Sequence, residues 1–202
     1  MTEVSINKQV KLSQHFTLGE LCKTGVKTAD GNIPSHVHIE NLKRVCEWLE
    51  ELRRRYNQQY VCENEERSVS PPELGGARGG LNEGMSGASS DHPAHTGTPP
   101  NLGGEIDTEE PIVINSGYRS PELNKKVGGS PTSNHLTGCA VDIRVAGIEQ
   151  AMRYAVILMD YADETKQDYD EILIERNRNG NYWLHFAVRP KDNRRKTMFI
   201  QA

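Results

Sequence analysis

The chain has 202 residues, with 24 Lys and Arg against 28 Asp and Glu for a net charge of −4. That length suits one domain, or one domain with an insertion, and the mild acidity gives no electrostatic footing for nucleic acid as the main partner. Cys22, Cys46, Cys62 and Cys139 lack C-x-x-C spacing, which argues against a cysteine zinc site or a disulfide framework and leaves free thiols as the expectation. No apolar run approaches the length of a membrane span. The stretch Met1–Phe16 lacks the apolar core of a secretory leader, so synthesis in the cytoplasm is expected, with release or export needed to reach any target outside the membrane.

Taken in chain order, Thr17 is placed to cap a short helix, with Glu20 completing a capping box and Phe16, Leu18 and Leu21 packing it down. His15 reads as a packing or capping residue, because nothing nearby completes a metal site. Ser35 caps a helix over about 36–60, in which Leu42, Val45, Cys46, Leu49, Leu52 and Tyr56 form one apolar stripe. His36 and His38 fall on different sides of that helix and do not pair as ligands. Residues 63–110 then change character. They are rich in Gly, Ser, Pro and charge and carry almost no large apolar side chains. Such a segment cannot offset its ordering entropy, so a disordered insertion is expected there, with His92 and His95 solvated.

Beyond it, the apolar run Ile112–Ile114 predicts a buried strand that delivers Ser116, Gly117, Tyr118 and Arg119 to a loop. Ala140–Val145 is a second strand-like run and contains Asp142. Ile148, Met152, Ala155, Val156 and Met159 mark a helix over about 147–163. Tyr169–Glu175 and Tyr182–Val188 alternate as strands, and Asn177, Arg178, Asn179 and Gly180 supply hairpin turn chemistry between them. Thr197–Ile200 reads as one more strand. The order predicts an α+β domain over 1–202 with a small, mainly antiparallel sheet packed with helices, interrupted by the 63–110 insertion.

His135 and Asp142 lie beside small residues in the central stretch, and His185 arrives much later in Trp183-Leu184-His185. Two histidines and one carboxylate leave a fourth zinc position for water, the pattern of a catalytic rather than a structural site. Ser133, His135, Gly138, Ala140 and Asp142 stand at the spacing S-x-H-x-x-G-x-A-x-D, preceded by Ser116-Gly117-Tyr118-Arg119-Ser120. This resembles the motif set of the zinc D-alanyl-D-alanine peptidases, a group of carboxypeptidases, dipeptidases and phage peptidoglycan endopeptidases. The opening Leu12–Leu21, the helix Ile39–Leu49 and Asn193-Arg194-Arg195 are similar to the group's smaller bacterial and phage branch. The resemblance covers nearly all of the chain outside 63–110.

The resemblance implies a Hedgehog/DD-peptidase-like fold and one Zn2+ held by His135, Asp142 and His185. It implies that Arg119 binds the substrate's carbonyl oxygen or a carboxylate, and that Ser133, Tyr118 and Trp183 contact substrate. It also implies a peptidoglycan peptide as substrate, with neither nucleic acid nor membrane insertion involved. One role departs from the pattern. The group places an acidic general base three residues before the last ligand, where this chain has Tyr182, and tyrosine is a poor base near neutrality. Glu175, in the facing strand of the predicted hairpin, is the substitute and Glu171 the next choice. Whether Glu175 faces the zinc depends on strand register.

Two readings follow. One is a zinc metallopeptidase cutting stem or crosslink peptides of the bacterial cell wall, as a phage or prophage lysin. The other is a non-catalytic zinc domain that binds wall peptides or a protein, as the related Hedgehog signalling domain keeps zinc without evident peptidase work.

Overall fold

The computed structural model describes residue 7, residues 9–61 and residues 109–201. The insertion expected over 63–110 lies outside the described residues except for Glu109 and Glu110. Helix α1 (Leu18–Leu21) starts at Thr17, whose side chain accepts from the Glu20 amide while Glu20 reaches back to the Thr17 amide. Helix α2 (His36–Tyr56) starts at Ser35 with the same reciprocal cap, His38 taking the second role, and runs into a π-turn at Asn57–Val61. After strand β1 (Ile114–Ser116), Ser120 caps a short helix α3 (Pro121–Lys126) with Pro121 in its first turn. That helix was not expected; its six residues are too few to show a periodicity. A 3₁₀ turn (Asn134–Thr137), strand β2 (Ala140–Arg144), helix α4 (Ile148–Thr165) and strands β3 (Glu171–Arg176), β4 (Tyr182–Ala187) and β5 (Lys196–Gln201) complete the chain.

The five strands form one sheet in the order β1-β2-β4-β3-β5. Three of the pairings are antiparallel and β5 joins β3 in parallel, so the fold is α+β with a mixed sheet. Period-2 alternation gives this sheet two unlike faces. Val141, Ile143, Ile172, Leu184 and Phe186 point to one face and are fully buried. Helices α2 and α4 cover that face. Trp48 lies edge-on to Tyr161 at 4.8 Å and 5.4 Å from Phe186, and Tyr56 lies edge-on to Tyr154 at 4.8 Å. Asp142, His185, Leu173, Glu171, Glu175 and Trp183 alternate onto the other face.

Register makes that second face specific. Asp142 is opposite His185, which is opposite Leu173, and Glu175 is opposite Trp183. Glu171 and Glu175 are therefore the two diagonal neighbours of His185 on the same face. An irregularity in β1 pairs Ile114 with Ile143 on the helix side and Ser116 with Asp142 on the polar side. One strand end thus serves both core and site.

Two glycines allow the close approaches behind the site. Gly138 leaves the 3₁₀ turn at φ +72°, and a Cβ there would come within 2.6 Å of the His38 carbonyl oxygen. A Cβ on Gly117 would come within 2.2 Å of the Leu21 carbonyl oxygen.

Candidate metal centre

The two central strands and the 3₁₀ turn converge three side chains. His135, Asp142 and His185 each offer a ligand atom, all within 4.8 Å of one another, and all three residues are buried. His135 sits in the turn capped by Ser133, and its Nδ1 lies 2.6 Å from the Gly117 carbonyl oxygen. Since a carbonyl only accepts, Nδ1 carries the proton. Nε2 is then the free atom, 3.2 Å from Asp142 Oδ1. His185 faces the same oxygen through Nδ1 at 2.9 Å, and its Nε2 stands 3.6 Å from Glu171 Oε2.

Burial and mutual pairing set the charges. Burial would raise the Asp142 carboxyl, but His135 and His185 outweigh it and hold the group far below the usual carboxylate range. Burial pushes the His135 imidazole below its ordinary value, against the pull of Asp142. Burial acts on His185 in the same sense, but hydrogen bonds to Asp142 and Glu171 reverse it and lift the group to about 9. The donor set therefore fits a divalent metal: two imidazole nitrogens and one carboxylate oxygen, close together and largely buried. His135 is ready to ligate, and His185 must first release a proton.

The triad opens into a cavity of about 550 Å3 whose lining includes Arg119, Ser133, Glu175 and Trp183. Leu123 and Val127 supply an apolar wall, Gly128, Gly129 and Ser130 a wall with little side-chain bulk, and Lys23 a cation at the rim. Arg119 pairs with Asp142 Oδ2 and with Ser116 Oγ, the latter at 2.8 Å. Burial raises the Glu175 carboxyl. Glu171 is driven the other way, to about 2, first by its contact with His185 and then by Arg194 and Lys196.

Of the residues singled out in the sequence, His135, Asp142, His185, Arg119, Ser133, Glu175 and Trp183 meet in this one cavity. Tyr118 does not. Its ring is buried in the core and stacks on His38 at 4.8 Å, so the substrate contact expected of it is replaced by packing. The physical reason is the Gly117–Leu21 approach, which fixes the Tyr118 amide on the Leu21 carbonyl at 2.7 Å and turns the ring inward. Tyr182, three residues before His185, alternates onto the opposite face and packs against the core, so it cannot serve the centre. Glu171 touches His185 rather than standing free in the cavity.

Sequence reasoning missed the polar cluster behind the site. Asp170 is fully buried, yet Arg189, Arg194 and Asn134 all bond its carboxylate. A signal existed in Asn193-Arg194-Arg195, noted for its resemblance but given no role.

Residues 103–168, a stretch that holds Arg119, His135 and Asp142, match the family model described as Peptidase M15. Over that stretch the chain is similar to the Peptidase M15 family. That family is one of zinc-dependent peptidases, which supports the likeness to the zinc D-alanyl-D-alanine peptidases read from the motifs. His185 lies beyond the M15 match and joins the centre through the sheet register alone. No curated protein shows significant similarity to the chain. Among the described residues no helix is long and apolar enough to cross a membrane.

Proposed function

We propose that this chain is a zinc-dependent peptidase that hydrolyses D-Ala-type stem or crosslink peptides of bacterial peptidoglycan, acting as a phage or prophage lysin once released to the wall. One observation carries the reading. The buried His135, Asp142 and His185 face a cavity that also holds a half-buried carboxyl, Glu175, and a guanidinium, Arg119.

When bound, zinc supplies Lewis acidity for the scissile carbonyl and for a water nucleophile. The protein's own groups supply the rest. Glu175, raised by burial, takes the proton of the attacking water and returns it to the leaving amine; a carboxyl poised above its ordinary value suits both steps. Arg119 places a permanent planar charge beside the oxygen on which negative charge develops. Ser133 adds a hydroxyl at the cavity wall, and Trp183 with Leu123 and Val127 excludes water from one side of the bound peptide.

Purified peptidoglycan and synthetic stem peptides, digested with and without a chelator, test this directly. Release of new amino termini that stops on chelation and returns with added zinc is the expected result. Zinc-loaded, folded protein that cleaves none of these peptides would defeat the peptidase reading.

A further inference from the structure

Glu171 was the next choice after Glu175 for the general base, but its two oxygens are already committed. Oε1 forms an ion pair with Arg194 Nη2 at 3.0 Å and accepts from Lys196 Nζ at 3.3 Å. Oε2 accepts from Asn134 Nδ2 at 3.0 Å and stands 3.6 Å from His185 Nε2, within ion-pair range. The residues that hold it are themselves held. Arg194 makes a two-point contact with Asp170, Nε to Oδ1 at 2.9 Å and Nη2 to Oδ2 at 2.6 Å. Asn134 gives the same Nδ2 to Asp170 Oδ2 at 2.7 Å, and Arg189 Nη2 reaches Asp170 Oδ1 at 2.6 Å. One cluster thus ties the start of β3, the segment after β4, and the 3₁₀ turn that carries His135.

We propose that Glu171 is a positioning residue for the metal centre: its carboxylate, fixed by Arg194, Lys196 and Asn134, accepts the Nε2 proton of His185 and so keeps Nδ1 of that ring unprotonated and aimed at the metal. This role rests on the zinc-site reading above. A ligating imidazole has two nitrogens, and the partner of the outer one selects which can bind metal. His135 already solves this with the Gly117 carbonyl on Nδ1. His185 uses the opposite nitrogen for metal, so it needs an acceptor at Nε2, and Glu171 Oε2 is the carboxylate oxygen there. Asn134 completes the arrangement. It follows Ser133 and precedes His135 in the chain, so its bonds to Glu171 and Asp170 couple the placement of one ligand to the orientation of the other.

The substitution Glu171→Gln discriminates sharply. A glutamine there keeps its oxygen on Arg194 and Lys196, both donors. Its amide NH2 must then face Asn134 Nδ2 and His185 Nε2–H, two further donors. The full-length chain and this variant would be titrated with zinc against a chromogenic chelator, with circular dichroism confirming the fold. Zinc affinity is expected to fall about 10- to 100-fold in Glu171→Gln. Long-range 1H–15N spectra of the zinc-loaded chains give a readout that packing alone would not move. In the wild type His185 is expected to be protonated at Nε2, with that proton protected from exchange; in Glu171→Gln protection is expected to be lost. Asp170→Asn, one step further out, is expected to show a smaller loss of affinity in the same direction. Equal zinc affinity and an unchanged His185 signal in folded Glu171→Gln would overturn the positioning role and leave the metal site standing. A wild-type chain that binds no zinc would overturn both.

Discussion

The two faces of one sheet do opposite work with the same backbone. On the helix side, Val141, Ile143, Ile172, Leu184 and Phe186 meet Trp48 and the α4 stripe in one apolar cluster. On the other side stand Asp142 and His185, nearly as buried but paired with each other and with Arg119, and the partly buried Glu171, answered by His185, and Glu175, whose carboxyl is raised by burial. The first face is stabilised by area removed from water, roughly 1.5–3 kcal/mol for each fully buried large apolar side chain. The second carries a desolvation cost that only pairing offsets. The comparison teaches that β2 and β4 are fixed from the helix side and loaded from the other, so chemistry and stability should separate under mutation.

The largest expected effect tests the loaded face. His135→Ala removes one of three ligands, and stoichiometric zinc in the wild type should drop to none by metal analysis, while circular dichroism stays that of a folded chain. A metal-free, fully folded wild type under zinc-replete conditions would break the comparison at its root. Next in size is Glu175→Gln, expected to lower turnover on a wall peptide by about two to four orders of magnitude with zinc still bound. Turnover equal to the wild type would remove Glu175 from the mechanism. Leu184→Ala, one residue before His185 but on the opposite face, should cost about 2–5 kcal/mol in denaturant unfolding and leave the zinc affinity of the folded fraction unchanged.

The smallest effect is graded with pH and runs in two directions. His185 is raised from 6.5 to about 9 in the metal-free fold. A raised group contributes stability that is fully present below pH 6.5 and is lost as pH climbs through about 9. Zinc needs the same nitrogen unprotonated, so this group lowers apparent affinity about tenfold for each pH unit below about 9. Thermal melts of the metal-free chain and zinc titrations at matched pH should therefore diverge between pH 6.5 and 9, the apoprotein weakening as affinity rises. Parallel trends would show that His185 is not the linked group.

Much of this was legible in the chain itself, for identifiable reasons. Capping signals at Thr17 and Ser35, the apolar stripe of α2 and the alternation of β3 and β4 are local, and each was realised close to where expected. The spacing of His135 and Asp142 across a tight turn and a strand start is also local. Trp48 was missed in the core of α2, although it extends the same stripe. The side of the sheet on which Glu175 lies depends on pairing between strands, which no single segment encodes. Tyr118 failed for the same reason, because a glycine's approach to Leu21, distant in sequence, decides where its ring goes. The Asp170 cluster joins residues from three separate segments and leaves no periodic trace in any of them.

The parallel strand β5 is one of the sheet's two edge strands, with Met198 and Phe199 each about half exposed. Its far edge has no strand partner among the described residues. An unpaired edge carrying apolar side chains is a template for adding another strand. Self-association at high concentration would therefore begin at β5, outside the lining of the candidate metal centre's cavity, and oligomers formed there would leave that cavity open.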